Sequence, residues 1–172
     1  MRRRRATEHL VNFADEAEAS PLDPKNIEPV VRQAKSVAKR YRALTGRPLG
    51  ITGEVAEYEA ARLLGLELAD VRQAGYDAVR KRGSRRDRLQ VKGRCLLSKN
   101  PGQRVGSIDL NKPWDAVVLV LLDPDLDPIA IYEARRPAIR RALKKPGSKA
   151  RNERGALSVS KFKAIGRLLW KA

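Results

Sequence analysis

The sequence contains a single cysteine, Cys95, and a single histidine, His9, among 172 residues. A disulfide within the chain is therefore excluded, and a zinc site built from cysteine and histidine is not expected. A catalytic set of serine, histidine and aspartate would depend on His9, which lies in a segment predicted to be peripheral. Sparse cysteine is typical of a reducing compartment, so a cytoplasmic protein is expected.

Long apolar runs are also absent. The longest covers residues 116–122, whereas about 20 apolar residues are needed to span a bilayer. The initial run of arginines is not followed by the apolar stretch of a secretory signal, so we expect neither a membrane span nor a secretory signal, and a membrane is not the favoured partner. Aromatic residues make up only 5% of the chain, which disfavours binding of single-stranded nucleic acid by stacking. The glycine motifs that bind nucleotide phosphates are missing as well.

Positive charge is what the chain has in excess. Its 37 lysines and arginines outnumber its 20 aspartates and glutamates, which gives a net charge of +17. Residues 72–104 carry a net +9 and residues 133–172 a net +11, whereas the first 24 residues hold four arginines and five acids. This pattern indicates a polyanionic partner, and nucleic acid is the interpretation that we favour. An anionic membrane surface or the ribosome is the alternative.

The N-terminal segment and the two helices after it are predicted from apolar spacing. Residues 1–24 are expected to be peripheral or flexible, with a short amphipathic helix at 7–19, and residues 25–172 to form a single domain. Apolar residues recur at helical spacing over residues 28–45 and again over 51–65. Thr52 is the predicted N-cap of the second of these helices, and Gly65 the residue that ends it.

The rest of the chain changes to strand-like patterns and then returns to helices. The predicted elements are a hairpin of residues 74–80 and 88–97 around a basic turn, a third strand at 104–110, a strand at 116–122 buried on both faces, a strand at 129–134, a short basic helix at 135–145, and a closing helix at 157–172 capped by Ser158 or Ser160. The order predicts an α/β fold, in which helices flank a mixed sheet on both faces.

Polar side chains alternate along the second strand of the hairpin. Because strand side chains alternate between faces, Gln90, Lys92 and Arg94 share one face, and the hairpin brings Asp77 towards it. The preceding helix contributes Glu54 and Glu57, which lie one turn apart on one helix face. The simpler alternative is that these polar residues form the solvated face of a half-buried strand.

An upstream helix with glutamate, an aspartate, and Gln-x-Lys in a hairpin followed by a buried strand resembles the PD-(D/E)xK restriction-endonuclease-like superfamily. The Gln-x-Lys form is similar to the Mrr-type endonucleases. The resemblance covers roughly residues 50–135, the core of the expected nuclease-like domain, and leaves a basic helical part at the C-terminus. It departs from the common pattern at two positions. Gln90 replaces the usual acidic residue, and Tyr76 precedes Asp77 where proline is common.

The resemblance implies a DNA endonuclease that depends on Mg²⁺ or Mn²⁺, with Asp77, Glu57, Gln90 and Lys92 as its catalytic residues. Asp77 would be the principal metal ligand. Glu57 would add a second carboxylate, with Glu54 as the alternative donor. The Gln90 amide oxygen and the Val91 carbonyl would be neutral ligands. Lys92 would orient the attacking water, stabilise charge in the transition state or act as a general base.

Basic side chains near this hairpin and in a later loop are expected to contact duplex DNA. They are Arg82, Arg85, Arg86, Arg88 and Arg94 around the hairpin, and Lys149, Arg151 and Arg154 in the loop. Two other interpretations stay open. The chain can be a nucleic-acid-binding module that keeps the nuclease-like fold without catalysis, or a structural protein associated with RNA. A homodimer through the helix at 28–45 is also expected, because many nucleases of this superfamily dimerise to cut two strands.

Overall fold

The computed structural model describes residues 24–70, 74–96 and 102–172. The helix predicted at 7–19 lies outside these ranges. The elements in the described residues are α1 (Pro24–Thr45), α2 (Thr52–Leu64), β1 (Glu67–Leu68), β2 (Ala78–Arg82), β3 (Arg85–Cys95), β4 (Arg104–Ser107), β5 (Ala116–Leu122), β6 (Pro128–Arg135), α3 (Arg136–Lys144), α4 (Lys149–Asn152), β7 (Ala156–Ser158), α5 (Val159–Ile165) and β8 (Arg167–Lys171).

The continuous apolar run forms β5, the strand around which the core is built. Every residue of β5 is buried. Val118 and Val120 point into a core cluster that includes residues of α1 and α2. Val117 and Leu119 point to the opposite face, into a cluster with residues of α3 and α5. The prediction of a strand buried on both faces is therefore confirmed, and so is a sheet covered by helices on both sides.

The main sheet in the described residues has the strand order β1-β2-β3-β5-β6-β8. β3 and β5 run parallel, while the other neighbouring strands run antiparallel, so the sheet is mixed as predicted. The hairpin of β2 and β3 turns at Gly83 and Ser84, and Gly83 has a φ of 57°. Glycine adopts such a backbone without steric cost, which is why it is favoured in two-residue hairpin turns.

Three local predictions are corrected by the structure. Thr52 is not the N-cap of α2 but its first helical residue, and Ile51 occupies the cap without a side-chain hydrogen bond. Gly65 ends the helix in the left-handed conformation as expected. The strand predicted at 104–110 shortens to β4, which pairs with β7 in a separate two-stranded sheet. The predicted basic loop contains one helical turn, α4.

The closing helix predicted at 157–172 is wrong in its second half. α5 begins after Ser158, whose hydroxyl accepts a hydrogen bond from the Lys161 N–H, but it ends at Ile165. Gly166 follows, and β8 then pairs with β6. An open strand edge leaves backbone N–H and C=O groups without partners, and residues 167–171 supply those partners. This long-range pairing outweighs the local helical pattern.

No helix in the described part of the chain has both the length and the apolar composition needed to cross a bilayer.

A chain of ion pairs built on the buried carboxylates of Asp87 and Glu133 lies between β2, β3 and β6. Arg80 pairs with Glu133, and their side chains are only 8% and 5% exposed. Arg135 contacts Glu133 at 3.4 Å and Asp87 at 3.2 Å, and Arg85 contacts Asp87 at 2.9 Å. Burial alone would raise the pKa of the Asp87 carboxyl, but the hydrogen bonds from Arg135 and Arg85 outweigh burial and hold it below the ordinary value.

Asp87 should make the fold sensitive to acid. Because the folded state lowers the pKa of Asp87, its contribution to stability is present above the unfolded pKa and is lost as the pH falls through the folded pKa. We therefore expect the free energy of unfolding to drop as the pH falls below about 4. Urea unfolding at several pH values measures this. Asp87→Asn should be less stable at neutral pH and should lose less below pH 4. Parallel pH profiles for the two proteins would contradict the assignment.

Candidate functional site

The two strands of the hairpin part at Asp77, just before β2 begins. The Asp77 N–H donates to the Leu89 carbonyl at 2.9 Å, and its carboxylate Oδ2 accepts from the Val91 N–H at 2.7 Å. The side chain thus takes the N–H that a continuing β2 would have used. This hydrogen bond fixes the carboxylate at the fork, next to the polar face of β3.

Helix α2 lies directly against β3 and delivers Glu57 to the same fork. The contact is close because β3 has glycine at position 93. A Cβ at Gly93 would lie 2.5 Å from the Thr52 carbonyl oxygen and 2.6 Å from the Ala56 Cβ. Glu57 follows Ala56 along the helix and is half-buried, whereas Glu54 is exposed. The bare backbone at Gly93 therefore sets how near Glu57 comes to the strand.

The Glu57 carboxyl experiences the other charges of the fork. Burial is the main cause that raises its pKa to about 7. The carboxylates of Asp77 and Glu54 raise it further, and the Lys92 ammonium opposes them. An acid with such a perturbed pKa, set beside specific charged partners, is typical of functional sites, although structural ion pairs also perturb pKa values.

Lys92 and Gln90 complete the polar face of β3. Both are half-buried. Burial is the main cause that lowers the pKa of the Lys92 ammonium, and Arg94 lowers it as well, while Asp77 and Glu57 act in the opposite direction. The Gln90 Oε1 is buried and has no hydrogen-bond partner among the described residues. A buried acceptor without a partner is unfavourable, so a donor or a cation beside this oxygen would stabilise it.

The donor set suits a hard divalent cation. Mg²⁺ binds oxygen atoms and usually takes one or two protein carboxylates, with water and substrate phosphate completing its shell. Asp77, Glu57 and the orphan Gln90 oxygen match that set. No group of three or more histidine, cysteine, aspartate or glutamate residues in the described ranges is placed to hold a metal. Glu54 therefore stays at the margin, and any metal here would rely on two carboxylates.

Val91 contributes through its backbone. Its N–H orients Asp77, and its side chain is buried in the core on the α2 side of the sheet. The charges of Asp77, Glu57 and Lys92 thus act on one another at the fork, and Gln90 lies two positions before Lys92 in β3.

The basic residues predicted to contact DNA differ in whether an acidic side chain already pairs with them. Arg82 and Arg86 are exposed on the hairpin. Arg85 pairs with Asp87 at 2.9 Å, and Arg88 pairs with Asp115 at 3.1 Å. Because Asp115 lies far from Arg88 in the sequence, no local pattern predicted this ion pair.

The later loop is organised by one of its arginines. Arg151 donates hydrogen bonds to the carbonyls of Lys145 and Pro146, both at 2.6 Å, and so stabilises the loop. Lys149 and Arg154 are exposed. These two side chains are therefore better placed than Arg151 to meet a partner.

Arg94 is placed differently from the other predicted contacts. It is half-buried, and its guanidinium donates to the carbonyls of Arg104 and Gly93. Gly106 makes room for it, because a Cβ there would lie 2.5 Å from an Arg94 nitrogen. Burial lowers its pKa. The sequence-based prediction placed Arg94 among the surface arginines, whereas in the fold it is half-buried and close enough to Lys92 to affect its pKa.

Gln103 was not singled out from the sequence. Its Nε2 donates to the Cys95 carbonyl at 3.1 Å, while its Oε1 is buried and has no partner among the described residues. Gln103 lies in a connection without a periodic pattern, so no sequence signal marked it.

No family model matches the chain, and no curated protein matches the chain significantly. The chemistry of the protein must therefore be inferred from the residues at the fork.

Proposed function

We propose that the protein is a metal-dependent DNA endonuclease of restriction-endonuclease-like fold that hydrolyses phosphodiester bonds. The observation that carries this proposal is that the charges of Asp77, Glu57 and Lys92 meet at the fork of the hairpin, with the unpaired Gln90 oxygen on the strand that carries Lys92. Two carboxylates, a neutral oxygen and an ammonium are the groups that phosphodiester hydrolysis requires. The net charge of +17 supports a polyanionic substrate.

Each residue has a distinct part in the proposed reaction. Asp77, Glu57 and the Gln90 amide oxygen would hold Mg²⁺ or Mn²⁺. When bound, such an ion polarises the phosphoryl group and lowers the pKa of water. Lys92 would donate hydrogen bonds to the phosphate and stabilise the charge that develops on it. Its pKa is lowered mainly by burial, which also suits proton transfer near neutral pH.

A non-catalytic nucleic-acid-binding module is the second candidate, and a specific observation favours it. Gln90 replaces an acid, and no group of three acidic ligands exists at the fork within the described residues. A site with less negative charge holds a divalent ion more weakly. Such a module would bind nucleic acid with steep salt dependence and would ignore the metal.

Self-association through α1 is also proposed. Val30, Val37, Tyr41 and Leu44 are exposed in the described part of the chain. Their spacing of seven, four and three residues places them along one stripe of the helix. A second copy that covers this stripe would set two hairpin sites in one assembly, which suits cleavage of both strands of a duplex.

Cleavage assays test the function directly. We expect the wild type to nick or cut supercoiled and linear duplex DNA with Mg²⁺ or Mn²⁺. Asp77→Asn and Lys92→Met should each lose about a hundredfold or more in rate while still binding DNA. Glu153→Gln and Lys171→Met remove an exposed acid and an exposed lysine elsewhere and serve as matched controls.

Three outcomes would contradict this function. If Asp77→Asn cut DNA as fast as the wild type, Asp77 would not belong to the catalytic site. Tight, metal-independent binding without cleavage by the wild type would favour the binding module. Preference for structured RNA over duplex DNA would favour an RNA-associated protein instead.

A further inference from the structure

A cavity of about 350 Å³ lies at the end of β3, beside the hairpin fork. It is enclosed by the second half of α1, the connection to α2 and the turn between β5 and β6. Its apolar lining includes Ala38, Leu49, Ile51 and Leu126. Ligand sites for small molecules begin at about 300 Å³, so this cavity suits a single small heterocycle.

The cavity shares a wall with the candidate site. Gly93 and Arg94 line it, and they directly follow Lys92 in β3. Thr52 also lines it and begins the helix that carries Glu57. A nucleic acid strand at the fork would therefore lie next to the wall that the two sites share.

The charges around the cavity favour an anionic ligand. Lys39, Arg42 and Arg94 line it, and Asp125 is the single acid among its described lining residues. Asp125 pairs with Lys39 at 2.6 Å and with Arg42 at 3.4 Å. The hydrogen bonds of Arg94 in the described residues go to backbone carbonyls. Its charge is therefore not neutralised by a carboxylate there and is available to a phosphate.

One buried polar atom of a residue that lines the cavity lacks a partner in the described residues. The hydrogen bond from Gln103 Nε2 to the Cys95 carbonyl orients the amide, which leaves Oε1 buried and unpaired in the described residues. A ligand seated against Gln103 that turns this amide towards the cavity would satisfy the acceptor with an N–H donor. A nucleobase offers N–H donors at its edge and apolar faces for the aliphatic wall, and its phosphate carries the negative charge.

We propose that this cavity receives one unpaired nucleobase of the nucleic acid substrate, with an N–H of the base on Gln103 Oε1 and the adjoining phosphate on Arg94. The inference rests on the proposed function for the identity of the ligand. Proteins that take a base out of a duplex must break its pairing and stacking, so a base that is already unpaired binds more readily. The cavity would make the protein selective for DNA with an extrahelical or mispaired nucleotide near the cut.

The test compares two duplexes that differ at one base. Each carries 2-aminopurine, either in a single-nucleotide bulge or paired with thymine, and the full chain is titrated in EDTA so that nothing is cut. We expect about tenfold tighter binding of the bulged duplex, because its base is already unpaired. We also expect the 2-aminopurine to be protected from acrylamide quenching. Equal affinity for both duplexes would overturn the proposal.

Variants then locate the effect. Gln103→Leu removes the acceptor, and Leu49→Trp fills the cavity from its exposed rim. Both should lose the preference for the bulge, whereas Leu168→Trp, an exposed change on β8 outside the cavity lining, should keep it. A preference that survives in both cavity variants would refute this location. Thermal unfolding confirms that each variant is folded.

Two further arms separate the alternatives. Deoxyadenosine monophosphate added as a competitor distinguishes a free nucleotide from a base within DNA. Full displacement of the bulged duplex by micromolar nucleotide would overturn the assignment to substrate DNA. Asp77→Asn should keep the bulge preference, because the titration needs no metal. The preference can therefore persist when cleavage fails, and cleavage can persist when the preference is absent, so the two proposals fail separately.

Discussion

Replacing Gly93 with alanine should reduce both stability and the proposed DNA cleavage, although Gly93 carries no reactive group. The new Cβ would lie 2.5 Å from the Thr52 carbonyl and 2.6 Å from the Ala56 Cβ, and the first of these is helix backbone that cannot rotate away. Helix α2 must move off β3, and Glu57 moves with it. We expect a loss of about 1–3 kcal/mol in unfolding free energy from overpacking. We expect a further fall of about a hundredfold in cleavage from misplacement.

The matched control for this change is Gly53, which lies on helix α2, the helix that packs against Gly93. A Cβ at Gly53 meets nothing within 4 Å, so Gly53→Ala should be neutral or stabilise the helix by about 0.5–1 kcal/mol. Denaturant unfolding measures stability, and cleavage is compared at a temperature where both variants are fully folded. If Gly93→Ala were as stable and as active as Gly53→Ala, the close contact would not position Glu57.

Arg80→Met is the change expected to cost the most stability. It leaves Glu133, which is 5% exposed, without its buried partner and with only the longer contact to Arg135. Removal of one member of a buried ion pair typically costs about 3–5 kcal/mol, because the remaining charge is buried and uncompensated. The double variant Arg80→Met, Glu133→Leu removes both charges and should recover a large part of that loss. Chemical denaturation of the single and double variants measures the coupling.

An exposed ion pair on the same strand provides the control. Lys81 contacts Glu67 at 2.6 Å, and their side chains are 50% and 53% exposed. Exposed pairs are worth about 0–1 kcal/mol, so Lys81→Met should change stability little. A similar loss for Arg80→Met and Lys81→Met would mean that the buried network contributes no more than a surface pair.

The features that local patterns determine could be predicted from the sequence. The apolar run at 116–122 can only be buried, and two strand-like segments around a basic turn predict a hairpin, although its turn is the two residues Gly83 and Ser84 rather than the whole of 81–87. The period of two along β3 then places Gln90 and Lys92 on one face, with Asp77 opposite Gln90. Each of these inferences uses neighbours in sequence or across one short turn.

The features that depend on distant contacts could not be predicted. Glu54 and Glu57 lie one turn apart on one helix face, and although Glu57 was favoured as the second carboxylate, the half-buried position of Glu57 and the exposure of Glu54 follow from the packing of α2 on β3 at Gly93. The pairing of β8 with β6 decides between helix and strand for a segment whose local pattern favours helix. The residues that surround Arg94 and Gln103 in the fold belong to chain segments that share no periodic sequence pattern with them.

The outer edge of the main sheet also bears on how the protein behaves at high concentration. β1 has two residues and pairs only with the first two of β2. The backbone beyond them has no partner strand in the described residues, and a bare edge of this kind invites pairing with another molecule. Lys81 and Arg82 stand exposed along that edge. Their like charges repel a second copy, so the basic hairpin also protects the sheet from intermolecular aggregation.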